Sequence, residues 1–65
     1  MPYKSDRDLP ESVRHVLPAA ARTIFRKAFN NAFERYKDEI TAFRVAWSAV
    51  KKKYEKVGDR WVRKG

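Results

Sequence analysis

The stretch Pro18–Tyr36, PAAARTIFRKAFNNAFERY, decides the fold of this chain. Its apolar side chains recur every three or four residues, so at 3.6 residues per turn they line one arc of a helix. Phenylalanines and alanines alternate along this arc, which leaves gaps that the rings of a facing helix can fill. We therefore predict a central helix that requires a packing partner, with an arc made of Ile24, Phe25, Ala28, Phe29, Ala32, Phe33 and Tyr36.

A second helical pattern follows and supplies that partner. It runs from Ile40 to Tyr54 or slightly further, and Asp38 is placed to cap its start. No glycine or proline separates it from the central helix. A hairpin of two helices and one long helix pairing with another chain therefore remain alternatives. We favour the hairpin because the chain otherwise has little core of its own. The apolar arc of this segment is Ile40, Phe43, Trp47, Val50 and Tyr54.

A short first helix is predicted ahead of the central one. Asp8 and Glu11 have the spacing of a capping box, in which each side chain accepts a hydrogen bond from the backbone of the other. Val13, Val16 and Leu17 share one side of this helix, and Pro18 ends it.

The closing residues have a different character. Gly58 either ends the third helix or takes the first central position of a two-residue turn. In the second case Val57 and Trp61–Val62 form a tiny ribbon, which the segment around Tyr3 could join. Trp61 is expected to fold back onto the helices, with an exposed base-stacking platform as the alternative.

The chain is predicted to be a single domain over residues 1–65: mainly α, with three helices and a possible small β-ribbon near the termini. It has 65 residues and no cysteine, so disulfides and thiolate metal ligands are excluded. No segment has the apolar length of a membrane span or the pattern of a signal peptide, and we expect a cytoplasmic protein. Both a monomer and a homodimer are compatible with the sequence.

The charge is the strongest compositional signal. Sixteen lysines and arginines oppose eight acidic residues, which gives a net charge of +8. Residues 41–65 hold eight basic and two acidic side chains and therefore account for +6 of it. Such a basic half-chain is typical of proteins that contact polyanions, although solubility alone is a simpler explanation.

The candidate binding residues come from this basic region. Arg44 and Lys51 lie two turns apart on one side of the third helix. Lys52 and Lys56 are four residues apart on the adjacent strip. Further cations continue past the expected end of the helix, where complementing the helix dipole no longer explains them. We predict contacts with DNA or RNA phosphates, with little sequence preference, through Arg44, Lys51, Lys52, Lys56, Arg60, Arg63 and Lys64. Arg22 and Arg26 could form a second strip.

An enzymatic function is not indicated. The chain has one histidine, His15. The sequence pattern places no partner residues beside it, which a general base or a metal ligand would need. The two glycines form no phosphate-binding loop. No catalytic residue, metal site or cofactor is predicted.

Four ordered motifs resemble the ChaB family over essentially the whole chain. They are MPYKSDRDLPESVRHVLP with its DLPESV core, AFNNAFERYKDE, VAWSAVKKKYEK and the closing DRWVRK. The resemblance implies a compact fold of a few helices with a small sheet. It also implies the family's label of cation transport regulator, tied to a cation/proton antiporter, whereas viral relatives are associated with DNA binding.

The chain departs from the family pattern at one place. Some members carry a long charged insertion between the second and third helices, with a suggested role in weak divalent-cation binding. This chain offers only Asp38 and Glu39 there, and a calcium ion takes six to eight oxygen ligands. The metal role is therefore not transferred to this chain. An antiporter, or another acidic protein surface, remains the alternative partner to nucleic acid.

Overall fold

The computed structural model describes residues 3–64 and has three helices and a two-stranded ribbon. A 3-10 turn at Asp6–Asp8 comes first, then α1 (Glu11–Val16), α2 (Ala19–Tyr36) and α3 (Glu39–Lys53). Strands β1 (Tyr54–Val57) and β2 (Arg60–Arg63) follow directly. The prediction of a mainly α, three-helix domain with a small ribbon is confirmed.

The connection between α2 and α3 is tight, although it contains no glycine. Lys37 adopts the left-handed conformation with φ 55°, and its N–H donates to the Phe33 carbonyl at 2.7 Å. The Asp38 carboxylate then caps α3, accepting from the Thr41 N–H at 3.3 Å and the Thr41 hydroxyl at 2.5 Å. The predicted hairpin is confirmed, and the alternative of one continuous helix is wrong.

The core lies between α2 and α3, where Phe25 and Phe29 have no exposed surface. The ring centroids of Phe25 and Trp47 are 5.1 Å apart, and those of Phe29 and Phe43 are 5.0 Å apart, both pairs meeting edge to face. Such aromatic pairs contribute about 0.5–1.5 kcal/mol each beyond the area they bury. These four rings therefore join the two helices.

The buried line of α3 differs from the predicted arc. Ala42, Ala46 and Val50 are fully buried, whereas Phe43 and Trp47 are only partly buried and flank that line. Small side chains allow the two helices to approach closely, and the larger rings must then pack beside the line of contact. Ile40, 67% exposed, and Tyr36, 52% exposed, lie outside the core. Their predicted place in the packed arcs was wrong.

The capping box near the first helix is one turn earlier than predicted. The Ser5 N–H donates to the Asp8 carboxylate at 3.2 Å, and Asp8 thus closes the 3-10 turn. Helix α1 begins after Pro10 without a side-chain cap. Leu9, between the two, is buried in the core, so it holds this connection against the hairpin.

The ribbon has the predicted two-residue turn but starts earlier than expected. Gly58 has φ +66° at the first central position, a conformation that favours glycine. Tyr54 is buried and pairs with Arg63, so α3 ends at Lys53 although neither glycine nor proline stops it. Trp61 lies 5.5 Å from Trp47, ring centre to ring centre, which confirms that it folds back onto the helices.

The sequence left open that the segment around Tyr3 joins the ribbon, but in the structure this segment packs elsewhere. Its backbone N–H donates to the Asn30 side-chain oxygen, and its carbonyl accepts from the Asn30 side-chain amide, both at 2.7 Å. The Tyr3 ring packs against Phe29 with centroids 4.8 Å apart. The opening segment is therefore attached to the middle of α2.

Asp6 gives this segment a second attachment to α2. One carboxylate oxygen accepts from the Thr23 hydroxyl and the other from Arg26 Nε, both at 2.6 Å. The Thr23 hydrogen bond, followed by the bond and charge of Arg26, lowers the pKa of Asp6 below its ordinary value of 3.8. The two side chains of the ion pair retain 33% and 24% of their surface in water, so its contribution is modest.

We expect Asp6→Asn to reduce the free energy of unfolding at pH 7 by about 1 kcal/mol. Because the folded-state pKa is lowered, the contribution of Asp6 is complete above about pH 4 and is lost as the pH falls through the folded value. Urea denaturation at pH 7 and at about pH 2 measures this, with Glu34→Gln, an exposed carboxylate on α2, as the control. An equal difference between wild type and Asp6→Asn at both pH values would contradict the attachment.

Candidate polyanion-binding surface

The seven basic residues singled out in the sequence are all exposed. Three lie on α3, one on β1, two on β2 and one just after β2. Within residues 3–64, none of the seven forms an ion pair, whereas Arg26 pairs with Asp6. Their charges are therefore available to a partner; the residues are Arg44, Lys51, Lys52, Lys56, Arg60, Arg63 and Lys64.

Six of the seven belong to the last turn of α3, to the ribbon that follows it directly and to the residue after the ribbon. We call this region the basic end and define it as Lys51, Lys52, Lys56, Arg60, Arg63 and Lys64. The Lys64 N–H donates to the Lys53 carbonyl at 2.9 Å, which ties the last of them to the end of the helix. Arg44 lies about two turns further along α3.

The basic end is not a single flat face. Lys56 was expected on a helical strip with Lys52, but α3 ends at Lys53 and Lys56 lies in β1, opposite Trp61. In the ribbon, Lys56 and Arg63 point to the face that carries Tyr54 and Trp61, while Arg60 points to the other face. The expected helical strip was wrong, and the cations of the ribbon are divided between its two faces instead.

A groove at this end holds a cation that the sequence reasoning omitted from the site. Lys53 and Arg63 line a depression of about 390 Å³ together with Ala20, Thr23, Ile24 and Tyr54. The ribbon places Arg63 beside the start of α2 and opposite Tyr54, the first residue after α3. The run of three lysines at residues 51–53 could have pointed to Lys53 as a member of the site. The direction of its side chain, however, depends on where α3 ends.

A second groove runs along α3 and combines apolar and basic side chains. It has a volume of about 450 Å³, and we call it the aromatic groove, defined by Ile40, Phe43, Arg44, Trp47, Ser48 and Lys51. The structure thus brings Arg44 and Lys51 together on the rim of one groove. The sequence showed these two cations on one side of α3, but it assigned the neighbouring apolar residues to the core.

The second basic strip considered on α2 is engaged within the fold. Arg26 pairs with Asp6, and Arg22 Nε donates to the Leu17 carbonyl at 2.8 Å, at the end of α1. Both side chains are partly buried. They hold the opening segment and α1 in place and are poorly available to a partner.

Arg44 also acts on the start of its own helix. The pKa of the Asp38 carboxyl is lowered, chiefly by the hydrogen bond from the Thr41 hydroxyl, with smaller contributions from backbone N–H groups and the charge of Arg44. Asp38 thus remains ionised as the helix cap at neutral pH. No ion pair holds Arg44 against it.

Metal and membrane features were also sought among residues 3–64. Within this range no three histidine, cysteine, aspartate or glutamate side chains come together as metal ligands, and His15 is exposed. None of the helices there has the length and apolar character needed to cross a bilayer.

Known proteins share this sequence and this fold. The ChaB family model matches residues 9–64. A protein of Escherichia coli K12 named "Putative cation transport regulator ChaB" is 49% identical over 75 aligned positions, which cover 98% of this chain and 99% of that protein. The alignment is longer than the 65 residues of this chain, so the relative carries residues that this chain lacks.

Two further comparisons extend this result. A solution structure described as that of "the putative cation transport regulator ChaB" has a TM-score of 0.89 and 48% identity, covering 98% of this chain and all of the other. A 10.9 kDa protein of Lymantria dispar multicapsid nuclear polyhedrosis virus is 39% identical over 54 residues, or 83% of this chain and 56% of the viral one. The names of the bacterial relatives describe a regulator and not an enzyme. Because the family model covers most of the described residues and the identity extends almost from end to end, this chain belongs to the ChaB family.

Proposed function

We propose that this chain is a non-enzymatic binding module that contacts the phosphates of DNA or RNA through its basic end, with Arg44 as an additional contact. The observation that supports the proposal is the set of exposed cations on the last turn of α3 and on the ribbon, none of which has an ion pair within residues 3–64. Phosphate contacts of this kind give affinity without sequence information. Cations on α3 and on both faces of the ribbon suit contacts with a backbone that follows the contour of the molecule.

The supporting cations are held on a rigid base. Tyr54 is buried, Trp61 packs on Trp47, and the two strands pair over four residues each. The backbone of Arg60, Arg63 and Lys64 is therefore held in place relative to that of Lys51 and Lys52. A fixed array loses less conformational entropy on binding than cations on a loose tail.

We expect binding to a duplex of about 20 base pairs, with an affinity that falls steeply as salt is raised, because each phosphate contact releases counterions. The triple variant Arg60→Gln, Arg63→Gln and Lys64→Gln should reduce the slope of log affinity against log salt by about two to three. Fluorescence anisotropy between about 20 and 200 mM salt measures both quantities.

The matched control removes the same charge elsewhere. Lys4, Lys27 and Arg35 are exposed and lie outside the basic end, so their triple replacement by glutamine should leave the slope nearly unchanged. Equal losses in the two triple variants would mean that net charge, and not the basic end, determines binding. Absence of binding at low salt would reject the proposal.

A second candidate function is regulation through contact with a cation/proton antiporter, by way of acidic surfaces of that protein. The name of the bacterial relatives, which describes a cation transport regulator, favours it. The same exposed cations could then meet carboxylates in place of phosphates. The duplex titration separates the two candidates, since a protein partner does not require affinity for nucleic acid.

A further inference from the structure

We propose that the aromatic groove on α3 binds an acidic amphipathic helix of a partner protein. The inference stands on the groove alone and does not require the nucleic-acid contact proposed above. Its elements are an exposed aliphatic side chain, a floor of two aromatic rings and a rim of two cations.

The apolar part of the groove has helical spacing. Ile40, Phe43 and Trp47 follow one another at intervals of three and four residues, so they form a row about 10 Å long on the outside of α3. Ile40 is 67% exposed, the largest exposed fraction among the large apolar side chains that the structure describes. An exposed apolar row of this kind, bordered by polar groups, is typical of a protein-binding site. Amphipathic helices bind grooves through apolar side chains with the same spacing.

The charge of the groove indicates the sign of the partner. Arg44 and Lys51 are seven residues apart on one rim, and neither forms an ion pair with another residue of the described range, 3–64. A helix that lies along α3 can place carboxylates two turns apart beside both cations. The start of α3 already carries the acidic residues Asp38 and Glu39, which disfavour further carboxylates there. The carboxylates of the partner helix therefore belong beside Arg44 and Lys51.

The geometry of the rings favours a helix over a nucleic-acid base. The Trp61 ring lies against Trp47 at 31°, and the edge-to-face contact with Phe25 holds Trp47 from the core side. Base stacking requires a free ring face, and an aliphatic side chain such as Ile40 offers none. Phe43 is likewise fixed by Phe25 and Phe29. The floor is thus a rigid apolar surface, which suits leucine-like side chains.

The test uses the whole chain and a synthetic helical peptide of about 15 residues, a length that permits a helix to form. The peptide carries leucines every three and four residues on one side, and glutamates seven residues apart on the flank. We expect a dissociation constant between about 10 µM and 1 mM, with amide NMR shifts concentrated in residues 40–51. No binding at about 1 mM peptide overturns the proposal.

Two matched variants test whether the peptide binds in the aromatic groove. Ile40→Ser should weaken peptide binding at least about fivefold, because it removes an aliphatic group that the complex buries. Val57→Ser, at a residue that is 52% exposed on the outer face of the ribbon, should leave it unchanged. Equal effects of the two variants, or shifts confined to the basic end, overturn the proposal. The duplex affinity of Ile40→Ser should equal that of the wild type, so this proposal and the nucleic-acid proposal can fail separately.

The identity of the ligand class is tested by two further probes. A peptide with glutamine in place of each glutamate should bind at least about fivefold more weakly, since it lacks charges for Arg44 and Lys51. A single-stranded oligonucleotide added to the chain without peptide should leave the ring signals of Trp47 and Phe43 unshifted, because its phosphates can contact Arg44 and Lys51 without stacking on the rings. Shifts of both ring signals would identify the groove as a base-binding site and overturn the proposal.

Discussion

Phe29→Ala is expected to lower the free energy of unfolding by about 3–5 kcal/mol and to leave much of the chain unfolded at 25 °C. The Phe29 side chain is fully buried and contacts four other rings, those of Tyr3, Phe25, Phe33 and Phe43. A domain of this length is stable by only about 3–10 kcal/mol, so the cavity removes a large share of the total. Urea denaturation followed by circular dichroism measures the loss.

The control for this prediction is the same substitution one turn further along α2. Phe33 is only partly buried, and its recorded ring contact is with Phe29. Phe33→Ala should therefore cost about 1–2 kcal/mol and leave the chain folded. If the two variants lose equal stability, the core is not centred on Phe29, and the arrangement of α2 against α3 must differ from the one described.

The helical period was readable from the sequence, but the rotation of α3 was not. The spacing of apolar residues correctly predicted α2, α3 and their pairing. It placed the largest apolar residues at the centre of the contact, because hydropathy increases with side-chain size. The structure places Ala42 and Ala46 there and leaves Ile40 exposed, since only short side chains fit where two helices approach most closely. The aromatic groove follows from this rotation and was therefore missed.

Two boundaries depended on contacts between distant residues. Asp8 could complete a capping box with either Ser5 or Glu11, and the structure uses Ser5. The neighbouring Asp6 is bound to Thr23 and Arg26, 17 and 20 residues away, which holds the segment in that turn. Helix α3 likewise ends where Tyr54 pairs with Arg63, and not at a residue that breaks helices. Local patterns do not contain such long-range interactions.

The sequence correctly predicted that the basic residues of the candidate site are exposed, but it did not predict which of them share a face. Lysines and arginines of a solvated face remain exposed in almost any arrangement of helices. Their directions depend on the secondary structure of each residue. Lys56 was expected beside Lys52 on a helix and instead lies in a strand, where neighbouring side chains alternate between two faces. A change of element at Tyr54 therefore divides the cations of the closing residues between the two faces of the ribbon.

A substitution that enlarges a side chain is equally informative at the buried alanines of α3. Ala46→Leu is expected to cost about 1–3 kcal/mol, although it adds apolar volume. Ala46 has no exposed surface, and Ala42 and Val50 lie one turn away on the same buried line. An added isobutyl group must push α3 away from α2 or force the neighbouring rings out of their favoured rotamers. Thermal or urea denaturation gives the loss of stability.

The position of Ala46, and not the leucine itself, should be responsible for that loss. Ala49→Leu tests this, because Ala49 lies on α3 but is only partly buried, so a larger side chain can extend towards solvent. We expect a change within about 0.5 kcal/mol there. Since Phe43 and Trp47 flank the buried line, Ala46→Leu should also shift the NMR signals of both rings and thereby alter the floor of the aromatic groove. A stable Ala46→Leu variant with unshifted rings would show that the two helices do not meet along the alanines.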